Sequence, residues 1–368
     1  MPTPRSLVSQ LPAYRPGRSA ADAIAAHGID SAIKLASNEL AFEPLPSVLD
    51  VIDRAVLELH RYPRHGAPTL RSALAQHLGV DTARVAVGNG SVGLIQQLCL
   101  GYVDPGDRVV YGWPSFEAYP VFVSLVGGEA VAVPNDGATL DADAIGDAID
   151  ERTKLVFIAN PNNPTSTALS ADDLTWIAEN TPDSALLVVD EAYREFVTDP
   201  EVPDALEILG DRDNVAVLRT FSKAHGLAGL RVGYLVGREH VVDTVDRLLV
   251  PFAVNHVAEA AACASLEANV EVRRRCKETT VERDRTADVL AELGFPVPVT
   301  QTNFVWLPTG AASRALGESM EQRGVVTRVF PDVGIRVTSG TPAENDRFLT
   351  AFIEAGDETD AAAHWLTP

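Results

Sequence analysis

The sequence predicts an α/β protein, with a large domain built on a mostly parallel sheet flanked by helices and a smaller α+β domain after it. Three observations carry that expectation. Between residues 85 and 218 short, uniformly apolar runs alternate with amphipathic stretches. After Pro251 the texture changes to a long helical stretch followed by strands. No internal repeat, low-complexity tract or Gly/Ser linker interrupts this rhythm.

Taken in order, residues 1–45 read as an N-terminal arm that joins the small domain, because Pro2, Pro4, Pro12, Pro16, Pro44 and Pro46 break regular elements there. The large domain is expected over 46–255. Residues 85–87 form a short strand ending in Gly88-Asn89-Gly90-Ser91, and Val92, Leu94, Ile95 and Leu98 give the helix that follows. Residues 108–111, 155–158, 185–189 and 215–218 are too apolar and too short for surface elements, so they read as buried parallel strands. A helix is expected over 171–179. The stretch 231–236 follows the strand before it so closely that a helical crossover barely fits, which suggests an antiparallel strand. The small domain, 256–368, carries a long helix over about 258–293, strands near 304–307, 325–329 and 335–338, and a C-terminal helix.

Composition limits the function. Fifty-one acidic and thirty basic residues in 368 give a net charge of −21, a surface that repels nucleic acid and anionic membranes alike. Cys99, Cys263 and Cys276 are odd in number and lack CxxC spacing, so neither a disulfide framework nor a metal site is expected. No run approaches the ~18 apolar residues of a spanning helix, and the first residues lack an apolar signal core; a cytoplasmic location is expected. The only lysines are Lys34, Lys154, Lys223 and Lys277, which leaves four candidates for any lysine chemistry.

Polar residues gather at the carboxyl ends of the expected strands, where doubly wound sheets bind ligands. Asn160-Pro161-Asn162-Asn163-Pro164 follows one, Asp190-Glu191-Ala192-Tyr193 the next, and Thr220-Phe221-Ser222-Lys223 a third. Gly90-Ser91 opens a helix, where unpaired N–H groups and the helix dipole make an anion seat. An amide, a carboxylate, a phenol, an amine and a phosphate cradle in one crevice are what pyridoxal 5'-phosphate requires. Taken singly, each feature has a plainer reading. Asp190 reads as a helix cap, Asn163 as a turn residue, Phe116 and Tyr193 as core aromatics, Arg336 as a partner for a structural carboxylate, and the cysteines as small buried apolar groups.

The segments Asn-Pro-Asn-Asn-Pro-Thr (160–165), Asp-Glu-Ala-Tyr (190–193) and Ser-Lys-Ala-His-Gly-Leu-Ala-Gly-Leu-Arg-Val-Gly (222–233) resemble the signatures of fold-type I pyridoxal-phosphate aminotransferases. Within them the chain is most similar to the histidinol-phosphate aminotransferase branch, including its actinobacterial aromatic amino acid aminotransferases. The likeness extends from Leu11-Pro12-Ala13-Tyr14 through 35–39, Arg61-Tyr62-Pro63 and 303–306 to 334–338. It implies that Lys223 bonds the cofactor's aldehyde and shuttles a proton, that Asp190 faces the ring nitrogen, and that Tyr193 and Asn163 donate to the ring 3-oxygen. It assigns Gly90, Ser91, Ser222 and Arg231 to the phosphate, Phe116 to the ring face, and Tyr62 to the phosphate of the neighbouring subunit. Asn38 and Arg336 receive the substrate carboxylate. Arg328 stands near for a distal acid group, and Tyr14 and Phe252 join the substrate pocket.

The implied function is transamination between an aromatic amino acid and a keto acid, 2-oxoglutarate, by a homodimer with shared active sites. Trp113–Pro120 and the short interval between Arg328 and Arg336 favour the aromatic substrate; histidinol phosphate is the alternative. A decarboxylase or C–S lyase would use the same cofactor site, and a cofactor-sensing regulator would need a basic DNA-reading helix that is not seen before the arm. Three departures from the pattern stand out. Ser166 replaces a usual glycine, which points to a different turn backbone, and His225 and His256 replace commoner residues and read as packing groups.

Overall fold

The computed structural model describes residues 2–3, 6–11 and 17–358. Among these, twelve strands run in chain order: β1 (Ile33–Lys34), β2 (Val85–Gly88), β3 (Arg108–Trp113), β4 (Glu129–Pro134), β5 (Thr153–Ala159), β6 (Leu186–Asp190), β7 (Val215–Thr220), β8 (Gly233–Gly237), β9 (Phe304–Leu307), β10 (Val325–Val326), β11 (Arg328–Phe330) and β12 (Gly334–Thr338). Seven form one sheet in the order β2-β8-β7-β6-β5-β3-β4. Every neighbouring pair from β4 to β7 is parallel, and β8 runs against both β7 and β2. The reversal expected after residue 218 is therefore present. Strand β4 was not expected, although residues 130–133 are an apolar run; it lies at the sheet edge, and only Val133 of its six residues is buried.

Alternation of side chains explains the apolar runs. Val109, Tyr111, Leu155, Phe157, Leu186, Val188, Ala216 and Leu218 pack on one face, under helices Gly90–Tyr102, Ala118–Val126 and Glu239–Leu248. Val110, Val156, Ile158, Leu187, Val189, Val215 and Val217 pack on the other, under Ala142–Ala148 and Ala171–Asn180. By the same parity Asp190 continues the row of Leu186 and Val188, so its carboxylate turns toward helix Ala118–Val126.

The expectations for the arm, the long helix and the strand over 325–329 are corrected. The arm holds regular structure: helix Ala20–His27 begins at a Ser19–Asp22 capping box, and β1 pairs in parallel with β10. The prolines flank these elements rather than enter them, and Pro46 starts helix Pro46–Ala55, where a missing N–H costs nothing. The long helix is two helices, His256–Glu267 and Asn269–Glu292, separated at Ala268. The strand over 325–329 divides at Thr327, so that β10 joins β1 while β11 joins the antiparallel order β11-β12-β9.

A second core gathers Leu35 with Leu290, Val305, Leu316, Ile335, Val337 and Phe348. Residues 256–267 lie outside it. Ala258, Ala261 and Ala262 pack with Leu45, Val48, Leu70, Val85 and Phe221, so the boundary expected at 255/256 cuts through a continuous core. The change of texture after Pro251 marks an alanine-rich helix lying close against its neighbours.

Behind the carboxyl ends of β6 and β7 is a buried ion network. Glu191 Oε2 accepts from Arg219 Nε at 2.9 Å and Nη2 at 2.7 Å, and Nη2 also donates to Asp204 Oδ1 at 2.7 Å. Burial raises the Glu191 pKa and Arg219 opposes the rise. Removing one member of such a set strands the others in a dry interior. Arg219→Met is expected to lower unfolding free energy by about 3–5 kcal/mol in urea titrations; a loss below 1 kcal/mol would show that the network carries no weight.

Candidate active site

A cavity of about 620 Å³ opens where β5, β6 and β7 end, and the face of β12 closes it. Ser91, Phe116, Asn163, Asp190, Tyr193, Ser222, Lys223, Arg231, Asn38, Arg328 and Arg336 line it together. The parallel register sets Ala159 beside Asp190 and Asp190 beside Leu218, so the polar segments that follow these strands emerge at one level.

Asp190 accepts from the Ala192 N–H at 3.2 Å and from Tyr119 Oη at 3.1 Å. Burial pushes its carboxyl up to about 6, against the pull of those two donors and of Lys223. Lys223 Nζ donates to the carbonyls of Ser37 and Asn38, both at 3.2 Å. Burial and the Arg336 cation bring its amine down to about 7. Tyr193 Oη accepts from Asn38 Nδ2 at 2.8 Å, which leaves its own proton to give; burial keeps that phenol protonated, its pKa raised to about 12. Asn163 Oδ1 accepts from Arg336 Nη1 at 2.5 Å, so its amide N–H groups are the ones left to donate.

Arg336 Nη2 also donates to the Ala36 carbonyl at 2.7 Å, and its guanidinium lies 5.4 Å from the Phe304 ring centre. On the adjoining strand Arg328 stands directly opposite Arg336 and pairs with Glu117 Oε2 at 2.7 Å. Asn38 holds a left-handed backbone (φ 54°) and ties residues 37–39 to β12 through Thr338 Oγ1, which accepts from its N–H at 2.9 Å.

The helix Gly90–Tyr102 points its start at the same space, and no side chain caps it because Asn89 donates instead to the Ala253 carbonyl. Arg231 Nη1 reaches Ser222 Oγ at 3.2 Å beside it. Gly90 does not line the cavity, yet it shapes this seat: a Cβ there would meet Arg231 Nη2 at 2.6 Å. Gly233 matters more rigidly, since its Cβ would lie 2.4 Å from the Ser91 backbone nitrogen. An anion cradle, a buried carboxylate, two hydrogen-bond donors and a weakly basic amine around one cavity fit pyridoxal phosphate.

Some expected residues stand elsewhere. Tyr62 is 81% exposed and stacks on Phe252 with ring centres 4.8 Å apart, and neither lines the cavity of its own chain. Tyr14 lies outside the described residues. Ser166 keeps φ 68°, the conformation glycine favours, so the turn backbone is retained despite the side chain. His225 bonds Ser265 Oγ at 2.7 Å and, buried, titrates only near 4, while His256 Nε2 lies 3.2 Å from the Arg61 carbonyl oxygen. The sequence singles out neither Tyr119 nor Glu117, since both lie in Trp113–Pro120, a segment that bears on the substrate class only as a whole.

The family described as aminotransferase class I and II matches residues 30–352. An aromatic amino acid aminotransferase from Thermobifida fusca is 48% identical over 94% of this chain and 95% of its own, and one from Streptomyces coelicolor is 45% identical over 95% and 96%. The crystal structure of histidinol-phosphate aminotransferase from Sinorhizobium meliloti in complex with pyridoxal-5'-phosphate superposes with a TM-score of 0.89, at 30% identity over 96% of this chain and 97% of that one. The chain belongs to the class I and II aminotransferases. It is an enzyme of the fold-type I architecture, and pyridoxal phosphate is its cofactor.

At neutral pH an amine that loses its proton near pH 7 has a far larger nucleophilic fraction than a lysine of ordinary basicity, and so reacts faster with an aldehyde. Treatment with pyridoxal phosphate and borohydride at neutral pH, followed by peptide mapping, is expected to label Lys223, with yield falling as pH drops through about 7. Label concentrated on Lys34, Lys154 or Lys277 would contradict the assignment.

Proposed function

We propose that the enzyme moves the amino group of an aromatic amino acid onto a dicarboxylic keto acid, 2-oxoglutarate, in a ping-pong cycle. The relatives at 45–48% identity bear the name of that activity. The observation in this chain that carries the substrate class is the pairing of Arg328 with Glu117 at the cavity wall. A phosphate ester such as histidinol phosphate brings about −1.5 to −2 charge and must be met by unopposed cations. Here Glu117 already neutralises one arginine and would repel the phosphate. Beside that pair, Phe116, Val121 and Phe122 line the cavity as an apolar wall suited to an aromatic ring.

Pyridoxal phosphate supplies the aldehyde that carries the amino group and a ring that draws electrons from the substrate's α-carbon. In this reading the Gly90–Ser91 helix start, Ser222 and Arg231 hold its phosphate, and Phe116 covers its ring. Asp190 holds a proton at the ring nitrogen. Tyr193 and Asn163 give their remaining protons to the ring 3-oxygen. Lys223 Nζ, brought down to about 7, would hold the cofactor through its aldehyde carbon and, once the substrate's amine has displaced it, would be free to take the α-proton and return it. Arg336, held by Asn163 and Ala36, and Asn38 receive the α-carboxylate that both substrates share. Arg328, partly offset by Glu117, meets the single charge of the keto acid's distal carboxylate rather than the larger charge of a phosphate; Tyr14 joins the pocket, and Phe252, which does not line the cavity of its own chain, serves that of a second copy.

The same reading makes the enzyme a cytoplasmic homodimer. The exposed Tyr62–Phe252 stack then serves a second copy, with Tyr62 reaching the partner's phosphate. The arm completes the small domain and the large domain holds the cofactor. Among the described residues no helix is long and apolar enough to cross a membrane.

A carboxylate common to both substrates and a single receiving arginine make a linked prediction. Arg336→Ala is expected to weaken kcat/KM for phenylalanine and for 2-oxoglutarate together, each by about 2–5 kcal/mol. Loss confined to one of the two would remove Arg336 from the shared role. Asp190→Asn should retain the cofactor and lose most turnover; near-normal turnover would make the carboxylate structural.

A further inference from the structure

Tyr119 belongs to no expected site, yet it is wholly buried and makes the one side-chain hydrogen bond that Asp190 receives among the described residues, Oη to Oδ2 at 3.1 Å. Its ring is fixed from three sides. It stacks on Phe157 at 4.7 Å and 7°, meets Phe116 edge-on at 5.5 Å and 90°, and leans on Tyr111 at 5.9 Å. Phe157 and Asp190 face this helix because they share the strand parity of the sheet face beneath it.

We propose that Tyr119 is a positioning residue that fixes the carboxylate of Asp190 and limits its basicity, so that the shared proton stays on the cofactor's ring nitrogen. The inference rests on the cofactor reading given above. Its physics is that of a buried acid. The titratable groups facing Asp190 are Tyr119, Glu191, Lys223 and Tyr193. Burial and Glu191 make the carboxylate a stronger base, whereas Tyr119, the Ala192 N–H and Lys223 make it a weaker one. A carboxylate that is too basic would take the ring proton for itself and leave the ring a poorer electron sink. Tyr119 stays a reliable donor because burial and the Asp190 charge drive its own ionisation far out of reach. The phenol also spans the ring-face aromatic and the ring-nitrogen partner, so one side chain registers both.

The test is Tyr119→Phe, which keeps the ring contacts and removes only the donor. Tyr111→Phe is the control, since it deletes a phenol from the same aromatic cluster without touching Asp190. Both holoenzymes are loaded with pyridoxal phosphate labelled with 15N in the ring. In Tyr119→Phe the 15N resonance is expected to move toward the unprotonated pyridine value, and kcat to fall about tenfold, the effect of one lost charge-assisted hydrogen bond. KM for phenylalanine should stay within about twofold of wild type. The Tyr111→Phe resonance and kcat should not move. A Tyr119→Phe enzyme with the wild-type resonance and kcat would overturn the proposal, and so would one that no longer holds the cofactor, since the phenol would then serve the fold. Failure of the wild-type chain to take up the cofactor at all would instead sink the underlying cofactor reading.

Discussion

Asp190 and Lys223 stand at the ends of neighbouring strands in a crevice that takes both out of water, and the rest of the site answers to that constraint. Desolvation works against each charge, raising the acid to about 6 and lowering the amine to about 7. The two groups therefore come close in acidity, so that small changes in their surroundings move either one between its charged and neutral forms. What surrounds them sets that balance. Tyr119 and the Ala192 N–H hold Asp190 toward its ionised form, and Arg336 holds Lys223 toward its neutral one. The buried Glu191–Arg219–Asp204 network fixes the two strand ends from behind.

The parts of this arrangement that could be read in the sequence are those in which chemistry and strand share one segment. Asp190, Lys223 and Asn163 each follow an apolar run closely, so the chain itself announces that they end buried strands at one edge of a sheet. Contacts between distant segments left no such mark. Nothing near Ile33 predicts its pairing with Val325, and nothing near Glu117 predicts Arg328, 211 residues away. Tyr119 was hidden for a different reason. Its segment, Ala118–Val126, carries no charged residue, and only the parity of β6 reveals that a carboxylate is aimed at it. The alanine helix His256–Glu267 misled in the opposite sense, since a change of composition marked close packing inside one core rather than a boundary between two.

In the proposed function, substrate choice depends on a smaller balance at the other side of the cavity. Two arginines lie opposite each other on β11 and β12, an arrangement that would suit a phosphate if both were unopposed. Arg336 is committed to Asn163 and the Ala36 carbonyl and lies over aromatic rings, while Arg328 is neutralised by Glu117. The cavity thus presents an arginine held by Asn163 and the Ala36 carbonyl, a wall of Phe116, Val121 and Phe122, and the Arg328–Glu117 pair.

Single-turnover spectroscopy of the holoenzyme tests this account most directly. Conversion of the bound cofactor from its aldehyde to its amine form is followed separately with phenylalanine, tyrosine and histidinol phosphate at equal concentration. The account requires the aromatic amino acids to convert the cofactor at least tenfold faster than the phosphate ester, a margin of about 1.4 kcal/mol in the barrier. Conversion by histidinol phosphate as fast as by phenylalanine or tyrosine would contradict it.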